Sequence, residues 1–390
     1  MSVLDTDQEL LADSVRALLN KHAGPAAVRS AMVSGDRFDR SLWAALCAQI
    51  GAGGMNIPEQ HGGAGGGSVE AMIVAEELGR VLAPSPALGS SGVATALILG
   101  SDDADAASRL LPAVASGESI VAVCSAGPDG DWTAGATLVD AVPDDARRDN
   151  AVEDGDWLLR GRSHYVLDAA AADTFLVAAT AGGAVGIFEV SAQAPGISCS
   201  DGAAMDPTRA LYTVTFDNAP GRRLELRDAV SVLESALDWG RILLAGEQAG
   251  AAARCLESTV AYTKSRVQFG RQIGSFQALK HRMADMHVLV RSARATAYSA
   301  ARAHQSSPNW RDDAAVAAVH CSEAFSAVAA DCIQMHGGIA ITWEHDMQLY
   351  FKRAHSSSQL FGSPSSQVRR LEHAAGLFGP VPRSPNLTLG

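Results

Sequence analysis

The sequence has few of the features that mark a secreted, zinc-binding or membrane-spanning protein. Its six cysteines are scattered through 390 residues and form no C-x-x-C pair, so we expect reduced thiols and no metal site. The start, MSVLDTDQEL, is acidic and lacks the apolar run of a signal peptide, which favours a cytoplasmic protein. The most apolar region, 169–190, is interrupted by Asp173 and by glycines, and we expect no membrane span.

An excess of basic residues is also missing. Lysine and arginine number 31 against 43 aspartates and glutamates, for a net charge of −12. This balance argues against nucleic acid or an anionic membrane surface as the main partner, because both attract cationic proteins. The hydrophobic share of 47% and the charged share of 19% are typical of a globular protein with several domains.

Hydrophobic periodicity divides the chain into three parts and predicts an α+β fold. Residues 1–117 read as a helical domain, and TDQELLADSVRALLNKH begins with a predicted Thr6–Glu9 capping box. Residues 118–226 contain short β-branched or aromatic runs about ten residues apart, which indicates a β-domain. Residues 227–390 return to the helical period, with long stretches that suit a four-helix bundle and a proline-rich tail. The long stretches are 229–264, 277–304 and 311–336.

Two segments of the last part carry residues suited to binding a dinucleotide. In SRVQFGRQIGSFQALKHRMADM, Arg266, Phe269 and Gln277 combine a fixed cation, an aromatic face and an amide, which suit a pyrophosphate and an adenine. In QMHGGIAITWEHDMQLYFKRA, Gly337 and Gly338 would let backbone N–H groups approach a phosphate closely. His336 of this segment is interpreted as a packing residue beside the cofactor, and Glu344 and Asp346 as structural residues paired with Lys352 or Arg353.

These two segments, their order and the three-part layout resemble the acyl-CoA dehydrogenase family. The stretches IPEQHGGAG, EELGRVLA and WLLRGRSHYVLDAAAAD extend the resemblance over nearly the whole chain, and TWEHD is similar to an actinobacterial subgroup. The resemblance implies an FAD enzyme that is assembled as a dimer or tetramer, oxidises an acyl-CoA or acyl-carrier thioester and passes electrons to an acceptor.

The same resemblance assigns residues to the two ends of FAD and to the thioester. A neighbouring subunit would hold the adenosine pyrophosphate end through Arg266, Phe269, Gln277, Gln334, Gly337 and Gly338. The flavin ring would pack near Cys124, Ser125, Tyr165, Val166 and Leu167. Asp238 and Arg241 match family positions near the CoA moiety or the thioester.

The chain departs from the family at the catalytic base, a glutamate. One usual position precedes a glycine in a late loop and is Phe361 in QLFGSPSSQ; the other is Gly240, on the helix of Asp238. Cys124 also replaces a hydroxyl donor to the flavin. Glu247 lies seven residues after Gly240, on nearly the same face but about 10 Å further along the helix. It is the candidate base within this chain, with a structural role as the alternative.

Three functions are therefore open from the sequence. The first is an FAD-dependent dehydrogenase that introduces an α,β double bond into an acyl thioester. The second is a subunit without its own base, which contributes half of a flavin site to a complex with a paralogous chain. The third is a family member with altered flavin chemistry, such as oxidation or hydroxylation.

Overall fold

The computed structural model describes residues 4–144, 157–202 and 204–377. Helices come first, a sheet follows, and a helical bundle ends the described chain. This architecture confirms the predicted α+β class. The helices are α1 (Thr6–His22), α2 (Pro25–Ala31), α3 (Arg40–Ile50), α4 (Ser68–Val81), α5 (Thr95–Leu99), α6 (Ala104–Ser116), α7 (Ala229–Ser265), α8 (Gln277–Ser306), α9 (Trp310–His336), α10 (Met347–Ser357) and α11 (Pro364–Ala374).

The N-terminal domain has the predicted helices, but the cap of α1 differs from the prediction. Asp5 is the N-cap residue, and its carboxylate accepts a hydrogen bond from the backbone N–H of Gln8 at 2.9 Å. The Gln8 side-chain oxygen in turn accepts a hydrogen bond from the backbone N–H of Asp5 at 3.3 Å. The capping box is therefore Asp5–Gln8, because Thr6 already lies inside the first helical turn.

The β-domain is a sheet that closes on itself. Strand β5 pairs with both β4 and β7, so the order β4-β2-β3-β7-β5 returns to β4, with β1 added beside β4 and β6 beside β7. The sequence did not indicate β2 and β6, because both are short and largely exposed. The strands are β1 (Val121–Cys124), β2 (Leu138–Pro143), β3 (Trp157–Leu167), β4 (Thr174–Ala181), β5 (Ala184–Ser191), β6 (Ile197–Asp201) and β7 (Leu211–Arg223).

Helix α7 is the central element of the bundle. It is buried on all sides between residues 236 and 252, as is typical of a core helix. It crosses α4 closely at small residues. A Cβ built on Gly250 would lie 1.9 Å from the backbone oxygen of Glu76, and one built on Gly79 would lie 2.1 Å from the backbone oxygen of Glu247. The glycines and alanines of residues 243–253 in α7 (LLAGEQAGAAA) therefore let the backbones of α7 and α4 approach each other closely.

Other sequence predictions have mixed outcomes. Five cysteines are buried, but Cys199 is exposed, because β6 runs along the outside of the sheet. One helical segment, 310–341, is long and apolar enough to cross a membrane, although it contains α9, which packs against α7 and α8 as a core helix does. The apolar region 169–190 forms β4 and most of β5. The proline-rich tail lies outside the described residues, and the domain boundaries remain predictions.

Candidate active site

The two positions where the family carries its base touch each other in this structure. Phe361 is 2% exposed, and its ring packs over Gly240 of α7. A Cβ built on Gly240 would lie 3.1 Å from ring carbon Cε2 of Phe361 and 2.7 Å from Cγ2 of Val93. Trp132 packs edge-on against Phe361, with ring centroids 5.1 Å apart. A glutamate side chain at Gly240 would therefore displace Phe361 and Val93.

Arg241 holds Phe361 in this place. Its guanidinium donates two hydrogen bonds to the backbone carbonyl of Phe361, from Nε at 2.8 Å and from Nη2 at 2.6 Å. Phe361 has a φ of +60°, in the left-handed region that is costly for a non-glycine residue. The two charge-assisted bonds offset that cost, so that Arg241 positions the loop.

Asp238 is the counter-ion of three arginines. Its carboxylate has no exposed surface and binds Arg241 at 2.5 Å, Arg311 at 2.7 Å and Arg370 at 2.8 Å. Burial on its own would raise the pKa of Asp238, but the hydrogen bond from Arg370 and the neighbouring guanidinium charges lower it below its ordinary value. These contacts engage Asp238 within the protein and do not support its predicted role in binding substrate.

A large cavity of about 1060 Å³ opens beside this cluster. Its wall includes Trp132 and Tyr165 of the β-domain, Arg241 of α7 and the loop around Phe361. The carboxylates on its wall are unsuited to be a base. Glu234 binds Arg311 at 2.9 Å, and Asp129 and Asp131 are exposed to solvent on the rim.

Glu247 does not line that cavity. It borders two small cavities of about 30 and 20 Å³, which leave room for little more than one water each. Its buried carboxylate forms an ion pair with Arg209 and lies 3.5 Å from Nη1 of Arg353. The seven residues of helix between Gly240 and Glu247 thus separate Glu247 from the large cavity. These contacts favour the structural role over the catalytic one.

The partners of Glu247 belong to a charged cluster that joins the β-domain to the helical bundle. Arg353 of α10 also donates to Asp206 at 2.7 Å, and Arg209 donates to Ser357 at 3.0 Å. Two buried arginines and two buried carboxylates balance one another in this cluster. No local sequence pattern indicates this cluster, because its members come from three separate stretches of the chain.

Asp168 is a further member of this region that the sequence reading missed. Its Oδ2 is buried and has no hydrogen-bond partner among the described residues. Burial raises the pKa of Asp168 to about 7, against the opposing charge of Arg209 and with a smaller contribution from Glu247. A Cβ built on Gly89 would lie 2.3 Å from that oxygen, so that the N-terminal domain packs directly on this carboxyl group.

The residues predicted to contact the flavin ring are divided between a cavity wall and the cores. Tyr165 lines the large cavity, and its hydroxyl donates to the backbone oxygen of Pro128 at 2.9 Å. The side chains of Cys124 and Val166 lie in the core of the β-domain, and Leu167 packs in the core shared with the N-terminal domain. The hydroxyl of Ser125 is buried without a partner among the described residues. Of these five predicted residues, only Tyr165 lines the large cavity.

The residues predicted for the adenosine end lie on the protein surface at one end of the bundle. Residues 267–272 form a β-hairpin whose tip residue, Phe269, is 90% exposed. Nothing lies within 4 Å of a Cβ built on Gly337 or Gly338. Arg266, Gln277 and Gln334 are exposed as well. The exposed backbone of Gly337 and Gly338, the guanidinium of Arg266 and the ring of Phe269 fit the phosphates and the base of a dinucleotide.

A stacked pair of rings brings the two segments of this surface together. Tyr262 of α7 stacks on His336 of α9 with centroids 4.4 Å apart, and its hydroxyl donates to the His336 carbonyl at 3.3 Å. Burial lowers the pKa of His336, in agreement with a packing role. Asp346 binds Arg29 at 2.8 Å, which corrects its predicted pairing with Lys352 or Arg353.

Comparison with known proteins places the whole chain in one family. The model of the acyl-CoA dehydrogenase N-terminal domain matches residues 5–118, and that of the C-terminal domain matches residues 230–376. The chain is 44% identical to acyl-CoA dehydrogenase IpdE2 of Mycobacterium tuberculosis, over 94% of this chain and 96% of the relative. It is 39% identical to IpdE2 of Mycolicibacterium smegmatis, over 95% and 99%.

Solved structures give the same result. A variant of the Tcur3481-Tcur3483 steroid ACAD is 30% identical, with a TM-score of 0.84 over 95% of this chain and 98% of that chain. The ChsE4-ChsE5 complex from Mycobacterium tuberculosis is 27% identical, with a TM-score of 0.84 over 97% and 100%. The chain belongs to the acyl-CoA dehydrogenase family of flavoprotein oxidoreductases.

Proposed function

We propose that this chain is the base-less subunit of a hetero-oligomeric, FAD-dependent acyl-thioester dehydrogenase. The observation that carries the proposal is the packing of Phe361 on Gly240, because it removes both family base positions and the space between them. The second sequence hypothesis is thereby preferred to a dehydrogenase that uses Glu247, which two arginines already bind.

The chain retains the surface residues that would bind the adenosine pyrophosphate end of FAD. Arg266, Phe269 and Gln334 are exposed, as residues that act across a subunit boundary must be. In the proposed complex they bind the adenosine pyrophosphate of FAD held mainly by a paralogous partner. FAD, when bound, would supply the acceptor for the substrate's β-hydrogen as a hydride, and a carboxylate of the partner would remove the α-proton.

The names of similar structures support both the assembly and the substrate class. Two of them name paired chains, Tcur3481-Tcur3483 and ChsE4-ChsE5, and the first is described as a steroid ACAD. We infer that the partner is a second family member and that the acyl group is derived from a steroid. The electron acceptor and the cytoplasmic location remain predictions from the sequence.

Reconstitution with a partner chain tests the proposal. The partner to be tested is a family member with glutamate at one of the two usual base positions, sought first among the genes adjacent to that of this chain. We expect dye-coupled dehydrogenation of a steroid-derived acyl-CoA from the complex and none from this chain alone. Replacing the partner's glutamate by glutamine should abolish turnover, and Glu247→Gln should not. Full turnover by this chain alone would refute the proposal.

A single substitution tests the cofactor half separately. Arg266→Ala should lower the flavin content of the complex, because a charge-assisted phosphate contact contributes about 1.5–3 kcal/mol. Arg282→Ala is the matched control, since Arg282 is exposed on α8 and forms a solvent-exposed ion pair with Asp331 at 3.3 Å. Equal flavin content in the two variants would show that Arg266 does not contact the cofactor.

A further inference from the structure

A separate cavity of about 560 Å³ lies between the N-terminal domain and the bundle. It borders α7 through Ser235 and Trp239, whereas the large cavity borders α7 through Leu237 and Arg241. At 100° per residue these pairs lie on opposite sides of the helix. The cavity is therefore distinct from the candidate active site, and its volume lies in the range of small-molecule pockets.

Aromatic rings form one wall of this cavity. The imidazole of His304 stacks on Trp239 with centroids 4.6 Å apart and meets Trp310 edge-on at 4.5 Å. His304 Nδ1 and the hydroxyl of Ser68 share a hydrogen bond of 2.7 Å, which fixes the ring plane. The wall is thus a rigid set of three rings, one each from α7, α8 and α9.

The rest of the lining is neutral. None of the described residues around the cavity is a lysine, arginine, aspartate or glutamate. Burial lowers the pKa of His304, so that its imidazole is uncharged at neutral pH. Hydroxyl and amide groups stand at the edge, on Ser235 and Gln305. A charged ligand would leave water here without an opposite charge to meet it.

We propose that this cavity binds a neutral ring compound that carries one hydroxyl or carbonyl group. The rings of the ligand lie against Trp310, which is half-buried, whereas Trp239 is buried behind His304 and supports the wall. Its polar group lies at the edge beside Ser235 and Gln305. Trp239 directly precedes Gly240, so that an occupied cavity contacts the turn of α7 on which Phe361 packs. The site is independent of the proposed reaction.

Calorimetric titration of the full-length chain with 2-naphthol tests this inference. Ser235→Phe fills the cavity and should weaken binding by about tenfold or more, a loss easily measured as a change in Kd. Ser108→Phe adds the same side chain on the exposed face of α6 and should leave the Kd unchanged. The anion 2-naphthoate has the same rings and should bind about tenfold more weakly.

A second variant keeps the inference testable if Ser235→Phe does not fold. Trp310→Ala removes one ring from a half-buried position at the start of α9 and should also weaken 2-naphthol binding. Absence of 2-naphthol binding to the folded wild-type chain would overturn the inference. So would equal binding of naphthol and naphthoate, or an unchanged Kd in both cavity variants.

Discussion

The guanidinium of Arg241 donates two hydrogen bonds to the backbone carbonyl of Phe361, and this contact fixes the loop that closes the family's base positions. Arg241 and Phe361 lie 120 residues apart in the sequence. An arginine in the position that the family resemblance assigns to the substrate thus serves the protein's own backbone.

Removal of Arg241 tests how much this contact stabilises the fold. Arg241→Ala should lower the free energy of unfolding by about 1.5–3 kcal/mol, because the Phe361 carbonyl and Asp238 both lose a charged donor. Denaturant unfolding measures the change. Arg227→Ala is the control, since that side chain is 92% exposed, and its effect should stay within about 0.5 kcal/mol. Equal effects of the two variants would contradict a positioning role.

Replacement of Glu247 separates its structural role from catalysis. Glu247→Gln leaves Arg209 and Arg353 with one carboxylate fewer, and such a broken buried pair costs about 3–5 kcal/mol. We expect lower stability with unchanged turnover per bound flavin in the reconstituted complex. Glu257→Gln, at a half-exposed ion pair with Arg80, should have little effect on either. A Glu247→Gln chain of full stability but greatly reduced turnover would identify Glu247 as the base.

Asp168 should make stability depend on pH. Its pKa is about 7 in the folded chain, above the ordinary value of aspartate, so the folded state retains a proton that the unfolded state has lost. Stability from this group is present at low pH and falls as pH rises to about 7, by at most about 1.4 kcal/mol per pH unit. Asp168→Asn removes the titrating group. Unfolding at pH 5 and pH 8 should show the variant gaining stability relative to wild type at pH 8.

The control for this pH effect is Asp201→Asn, since Asp201 is half-exposed on β6 and pairs with Arg37. Its stability relative to wild type should change little between the same two pH values. A flat difference for Asp168→Asn as well would mean that its carboxyl group titrates alike in the folded and unfolded chains.

The close crossing of α7 and α4 predicts that alanine in place of Gly250 is destabilising, which is the opposite of what helix propensity alone predicts. An alanine is ordinarily better than glycine in a helix by about 1 kcal/mol. Gly250→Ala should instead destabilise the chain by about 1–3 kcal/mol, because the new methyl group would meet the backbone oxygen of Glu76. Gly35→Ala has open space around its Cβ and should be nearly neutral. Thermal unfolding compares them, and a stabilised Gly250→Ala chain would disprove the close crossing.

The order of elements could be read from the sequence because it depends on local periodicity. The long apolar stretches after residue 227 are α7, α8 and α9, and the β-branched runs are the main strands. The two cofactor segments also meet at one end of the bundle. Strands β2 and β6 were missed, since a largely exposed strand lacks a continuous apolar pattern.

The candidate site was harder to predict because its decisive contacts join distant parts of the chain. The sequence showed that Phe361 and Gly240 are not acids, but not that one ring fills the space of both. The sequence placed Glu247 on the face of Gly240 as a candidate base, but its partners Arg209 and Arg353 come from other elements. The residues that flank Glu247 in the sequence show that its own helix is apolar, but they do not show which side chains from other elements contact it.

Phe361 closes the base positions of this chain, whereas the hairpin at Phe269 is exposed. This chain can therefore contribute its hairpin to a neighbour's active site, while the side chains of Cys124, Val166 and Leu167, which were predicted to contact its own flavin ring, lie in the hydrophobic cores. Two copies of this chain would therefore form no complete reaction centre, and a mixed pair would form one. We expect a mixed tetramer of two chains of each kind to contain two flavins rather than four, a ratio that absorbance of the purified complex would give directly.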